Sequence, residues 1–187
     1  MTEFINIKGE SQRLILRPTN IEDFSTILAG LNNQKPAQHQ YDDDEIGLGE
    51  IYTEAFCEKS SNNFYQYAKD DKVFLLRVYR KEDGCYLGGI IIKTILRKHY
   101  QWAEIGYWLL NQHWGNGYGA EMLKVGIDIA FNDLDFHRVE AQINLDNYAS
   151  QKTAEKAGMT FECIRKGFLF EADQWTDHMI YVINASK

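Results

Sequence analysis

Apolar and polar positions switch between a period of two and a period near 3.6 along the 187-residue chain, and the switches mark its elements. "RLILRPT", 13–19, alternates and stops at Pro18, which reads as a strand. In "NIEDFSTILAGLNN", 20–33, Ile21, Phe24, Ile27, Leu28 and Leu31 share one helical face behind the capping residue Asn20. A second helical pattern runs from 44 to about 69, carried by Ile46, Leu48, Ile51, Tyr52, Ala55, Phe56, Phe64, Tyr65 and Tyr67. "SSNN" at 60–63 predicts a break within it. "KVFLLRVYR", 72–80, and "CYLGGIIIKTIL", 85–96, flank "KEDG" as a hairpin, and "WAEIGYWLL", 102–110, is the next strand. A helix from about 117 to 132, a strand at 137–144 and a helix from about 147 to 157 closed by Gly158 follow. Strands at about 159–171 and 175–184 end the series. The order β-α-α-β-β-β-α-β-α-β-β predicts a mixed α/β sheet with helices on its faces, as one domain over 1–187.

The helix after 117 is the best specified. Glu121, Lys124, Asp128 and Asn132 make a polar stripe with charge pairs expected along the helix, and Met122, Leu123, Val125, Ile127, Ile129 and Ala130 face the sheet. Before it stands "NQHWGNGYGAEM", 111–122, with Gly115, Gly117 and Gly119 at alternate positions. Glycine costs backbone entropy in regular structure, so three in alternation imply a backbone that must lie close to something. A glycine-rich turn opening a helix presents unpaired N–H groups and the positive end of the dipole, which suits phosphate. The nucleoside-triphosphate loop pattern is absent, and the G-x-G-x-G spacing differs from the dinucleotide fingerprint.

Composition narrows the options. A net charge of −7 disfavours nucleic acid and suits a cationic partner such as an amine. The acidic run "YDDDE", 41–45, reads as a solvated loop and helix start, with a substrate-attracting rim as the alternative. No apolar run approaches the roughly 20 residues that span a bilayer, so no membrane partner is expected. Three cysteines, Cys57, Cys85 and Cys163, without C-x-x-C spacing indicate free thiols in a reducing compartment, and the cytoplasm is the expected location. No metal site is expected.

Two stretches carry a family resemblance: "AEIGYWLLNQHWGNGYGAEMLKVGIDIAF", 103–131, and "RVEAQINLDNYASQKTAEKAGM", 138–159. They resemble the GCN5-related N-acetyltransferases (GNAT), most closely the RimJ/RimL branch, which acetylates N-termini of ribosomal proteins. The element order agrees from "RLILRP" to "DHMIYVI". The resemblance implies the GNAT fold, a mostly antiparallel sheet of about six or seven strands splayed at an acetyl-CoA site. In the family's loop pattern Q/R-x-x-G-x-G/A, Gly117 and Gly119 match and Trp114 replaces the first residue.

The implied cosubstrate is acetyl-CoA. Its pyrophosphate would sit on the N–H groups of Gly115, Asn116, Gly117, Tyr118, Gly119 and Ala120, with Trp114 beside them, and its arm along Trp108, Leu109 and Leu110. Lys152, Lys156 and Arg138 are candidates for the 3′-phosphate. In "NYAS", 147–150, the family pattern N-x-x-S gives Asn147 the arm and Ser150 the thioester sulfur, where Ser150 would protonate the departing thiolate; locally the same residues are a helix N-cap. Glu104 is the candidate base, grouped by alternation with Trp102, Gly106 and Trp108. His113 is titratable and adjoins the loop. The implied acceptor is a protein N-terminal α-amine, with a small-molecule amine or a non-catalytic acyl-CoA-binding module as alternatives. The expected assembly is a monomer or homodimer.

Overall fold

The computed structural model describes residues 4–42 and 51–186, so the expected helical start at 44–50 lies outside the described residues. Its centre is an eight-stranded sheet in the order β1-β2-β3-β4-β5-β6-β8-β7. The strands are β1 (Gly9–Glu10), β2 (Leu14–Arg17), β3 (Val73–Arg80), β4 (Tyr86–Leu96), β5 (Trp102–Leu109), β6 (Arg138–Asn144), β7 (Thr160–Glu171) and β8 (Gln174–Asn184). The strand beyond the expected count is β1, whose two residues carry no readable period.

The helices are α1 (Phe24–Asn32), α2 (Glu54–Lys69), α3 (Tyr118–Asn132) and α4 (Tyr148–Lys156). α2 runs unbroken through 60–63, correcting the expected interruption. Ser and Asn are weak helix formers, but Thr53 caps the start, accepting the Phe56 N–H at 3.2 Å, and buried Cys57 and Ala68 hold the helix at both ends.

Two apolar clusters occupy the molecule. The larger joins Leu76, Val78, Ile90, Ile92, Ala103 and Ile105 of the sheet to Met122, Leu123 and Ile127 of α3 and Ala154 of α4. The smaller packs Ile27 and Leu31 of α1 against Tyr79, Tyr86 and Leu110. Glu121 departs from the expected helical stripe. It accepts from Ser11 Oγ at 2.7 Å and Arg13 Nε at 2.7 Å, tying the β1–β2 corner to α3.

Every neighbouring strand pair is antiparallel except β5–β6. That parallel pair is joined only at Trp102–Arg138, Ala103–Val139 and Glu104–Glu140. Beyond these positions β5 stays paired with β4 and β6 with β8, so the sheet opens as a V between residues 105–109 and 141–144.

Ahead of α1, buried Asp23 accepts from both terminal nitrogens of Arg17, at 2.7 and 2.6 Å, and from the Asn20 N–H at 2.8 Å. Burial pushes the Asp23 carboxyl up, but Arg17 and the Asn20 N–H outweigh it and hold the group below its ordinary range. A lowered folded value means stability that is present above the unfolded value of about 3.9 and lost as pH falls through the folded one. Asp23→Asn is therefore expected to destabilise at neutral pH, with the gap to wild type in urea unfolding constant down to about pH 5 and shrinking below it as pH falls through the lowered folded value.

Candidate functional site

The V opens onto a cavity of about 370 Å³ walled by the end of β5, the glycine loop and the first turns of α3 and α4. Trp108, Leu109, Leu110, Trp114, Gly115, Gly117, Gly119, Ala120, Asn147 and Ser150 all line it. Three of the expected site residues do not. Asn116 turns its amide back to the His113 and Trp114 carbonyls, at 3.0 and 3.1 Å. Tyr118 is buried beneath the Arg13 guanidinium, 4.4 Å above its ring. Glu104 sits where β5 and β6 are still paired, bound to Lys93 Nζ at 2.9 Å.

The three glycines are not alike. Gly115 and Gly117 have φ of +80° and +77°, a left-handed backbone that costs an L side chain roughly 1–2 kcal/mol. Gly119 is not left-handed, and a Cβ there would make an ordinary contact with Thr153 of α4 at 3.4 Å, so neither strain nor crowding requires glycine at this position. Gly117 is the N-cap of α3 and provides no side-chain cap. The first-turn N–H groups are thus left for an external acceptor, and the N-terminal dipoles of α3 and α4 converge on the cavity. Arg13 Nη1 donates to the Asn116 carbonyl at 3.1 Å and braces the loop from behind. The sequence gives no hint of that role, because Arg13 lies 103 residues away.

At the inner end, Asn147 caps α4 by accepting the Ser150 N–H at 3.1 Å, and among the described residues its Nδ2 donates to nothing. Ser150 Oγ lies 2.8 Å from the Tyr107 hydroxyl, which also donates to the Ser150 carbonyl at 2.9 Å. Burial pushes the Tyr107 phenol up to about 12, so it stays protonated at neutral pH. Lys156 is the one of the three candidate phosphate cations that lines the cavity; Arg138 is engaged by Glu162 at 3.0 Å. His113 points to Cys85 Sγ, 3.8 Å away, rather than into the cavity, and burial lowers its pKa.

Residues 33–42 form a strap across the mouth that periodicity does not reveal. Asn111 accepts the Lys35 N–H at 2.8 Å and donates to the Lys35 carbonyl at 2.6 Å and to Asp42 Oδ2 at 3.0 Å. The His39 ring stacks on Trp114 with centroids 5.0 Å apart. On the far bank, the Tyr41 hydroxyl and Gln40 Nε2 both bond Asp146, beside the α4 cap. Asp42, expected in a solvated run, is buried because Asn111 and the Gln38 N–H satisfy it. The rest of that run, 43–45, lies outside the described residues.

A second cavity, about 320 Å³, opens from the V itself and shares Tyr41, Tyr107, Asn147 and Ser150 with the first. Two openings meeting at one hydroxyl pair suit a transfer between two substrates entering separately.

Residues 13–160 match the family described as acetyltransferase (GNAT) domain. The chain is 26% identical over 177 residues to "Probable N-acetyltransferase YjcK" of Bacillus subtilis, covering 95% of this chain and 96% of that protein. Among solved structures, Mycobacterium smegmatis RimJ in complex with CoA-disulfide aligns with a TM-score of 0.74 at 21% identity, covering 92% of this chain and 82% of that one. The ribosomal-protein-S5-alanine acetyltransferase of Vibrio fischeri aligns with a TM-score of 0.75 at 19% identity, covering 96% and 97%. At these identities the structural matches establish the shared fold.

Proposed function

The chain belongs to the GNAT acetyltransferase family, and from that premise we propose that it is an N-acetyltransferase of RimJ/RimL-like type that moves an acetyl group from acetyl-CoA to a protein N-terminal α-amine. The observation that carries the reading is the cavity in which a left-handed glycine loop, two helix N-termini and the Ser150–Tyr107 pair converge at the unpaired edge of β5. These residues fit acetyl-CoA: N–H donors for the diphosphate, an open strand edge for the amide-bearing arm, and Lys156 near the rim.

In this reading Gly115, Gly117, Gly119 and Ala120 bind the diphosphate, while Leu109, Leu110 and the Nδ2 of Asn147, which donates to nothing among the described residues, orient the arm. The acceptor amine attacks the thioester carbonyl, and the thiol is expelled without a covalent enzyme intermediate. Ser150 Oγ gives a proton to the leaving sulfur, and the Tyr107 hydroxyl, 2.8 Å away, holds that oxygen in place. An α-amine, with a pKa near 7.7–8.0, needs only about 1 kcal/mol to lose its proton at pH 7, whereas a lysine near 10.4 needs roughly 4.6. With Glu104 paired to Lys93 and His113 turned away, an acceptor with this small demand suits the site.

The test is calorimetric titration with acetyl-CoA, then thiol release with N-terminal peptides and with spermidine. Gly117→Val is expected to weaken acetyl-CoA binding roughly tenfold or more, because a branched side chain cannot hold the left-handed loop. Release with peptides but not spermidine supports the α-amine; the reverse outcome transfers the reading to polyamines. Binding without release under any amine would leave a non-catalytic acyl-CoA module.

A further inference from the structure

We propose that Glu171, at the end of β7, anchors the positively charged nitrogen of the acceptor. The inference rests on the acetyl-transfer reading above. Glu171 lines the second cavity, whose walls also carry Gln40, Gln142, Asn144 and Asn147 and which reaches Ser150. Its carboxylate is aimed from behind. Oε1 accepts from Asn144 Nδ2 and from Thr176 Oγ1 at 2.8 Å, and the buried His178 ring places Nε2 3.6 Å from the same oxygen. Oε2 accepts from nothing among the described residues.

Among the described residues, the other carboxylates nearby are committed. Asp146 is held by Tyr41 and Gln40, Asp42 by Asn111 and the Gln38 N–H, Glu104 by Lys93, and Glu140 by Arg165 at 2.7 and 2.9 Å. Glu171 therefore offers an oriented anion with one open oxygen at the mouth leading to the acyl-transfer serine. An oriented carboxylate ringed by amide side chains suits an ammonium followed by hydrogen-bonding groups, which is the start of a peptide.

In the reaction Glu171 binds the ammonium form. The nitrogen gives one proton to water before attack and a second after it, Ser150 supplies the proton that leaves on the thiol, and Ser150 is reprotonated from solvent, so protons balance. Glu171→Gln, which keeps shape and removes charge, is expected to raise the KM for a peptide amine roughly ten- to hundredfold and to leave the acetyl-CoA Kd unchanged. An N,N-dimethylated peptide keeps the charge and one N–H but forms no stable amide. It should bind wild type and lose affinity in Glu171→Gln by the same factor, while the neutral N-acetylated product binds both proteins equally.

Thr176→Val, removing one of the donors that aim the carboxylate, should give a smaller change in the same direction. An unchanged KM, or equal losses for the charged and neutral peptides, overturns the proposal. Wild type that releases no thiol overturns the acetyl-transfer reading, and the dimethylated peptide still reads Glu171 on its own: a charge-dependent loss of its binding supports the anchor, and its absence defeats it.

Discussion

Replacing Ser150 with alanine is expected to lower kcat roughly a hundred- to ten-thousandfold while leaving the Kd for acetyl-CoA within about twofold of wild type. The fold does not need the hydroxyl. Asn147 caps α4 through the Ser150 backbone N–H, which alanine retains, and the Tyr107 hydroxyl can still donate to the carbonyl of residue 150. What disappears is the proton donor 2.8 Å from Tyr107. A thiolate departing without a proton forfeits that stabilisation in the transition state alone, so the loss belongs in kcat. Single-turnover thiol release at saturating acetyl-CoA measures it. A fall in kcat under about threefold would remove Ser150 from the chemistry and leave it as a helix-cap residue.

The second large effect lies behind the cavity wall, at Gly88 of β4. Its φ is +154°, and an added Cβ would stand 2.2 Å from the Trp108 carbonyl oxygen and 2.9 Å from the Leu109 Cα. Both obstacles are backbone, so no rotamer change relieves them. Gly89 is similarly crowded, but by the six-membered ring of Trp108, at 2.3 Å. The β4–β5 ladder, in which Gly88 pairs with Leu109 and Gly89 with Trp108, therefore depends on the missing side chain at Gly88, while the one missing at Gly89 makes room for the Trp108 ring.

Gly88→Ala is expected to cost about 3 kcal/mol or more in denaturant unfolding, at the upper end of overpacking. Any protein that does fold should bind acetyl-CoA less well, because Trp108 and Leu109 form the wall. Gly84→Ala separates clash from strain. Its φ is +71° but nothing lies within 4 Å of a Cβ, so only the roughly 1–2 kcal/mol of left-handed backbone should be lost.

Much of this molecule is legible in its sequence, for local reasons. Alternation marks the start of β5, whereas β3 and β4 read as apolar runs because both of their faces are largely covered, and the apolar side of α3 is unbroken. The glycine loop and the Asn147 cap can be read because backbone geometry restricts which residues fit. The parts that cannot be read depend on partners far along the chain. Asn111 meets Lys35 across 76 residues and Tyr41 meets Asp146 across 105, neither with a repeating pattern. Alternation places Glu104 on the correct strand but does not reveal Lys93 opposite it, and Glu171 gains its orientation only when β6 and β8 supply Asn144 and Thr176. The Ser-Asn stretch of α2 shows the opposite failure, a local signal overridden by a capped, well-anchored helix.

The three-residue junction between β5 and β6 makes this molecule two ladders welded at one end rather than one continuous fabric. Beneath the gap the halves share one core, with Ile90 and Ile105 of one and Ala141, Ile143 and Tyr181 of the other, and across it they are held by the strap, with His39 on one bank and Tyr41 on the other, and by the hydroxyl bridge from Tyr107 to α4. The stretch of sheet with no ladder across it is also where the cavity opens. A molecule laid along it acts as mortar as well as reactant, and part of its binding energy goes into joining the two halves.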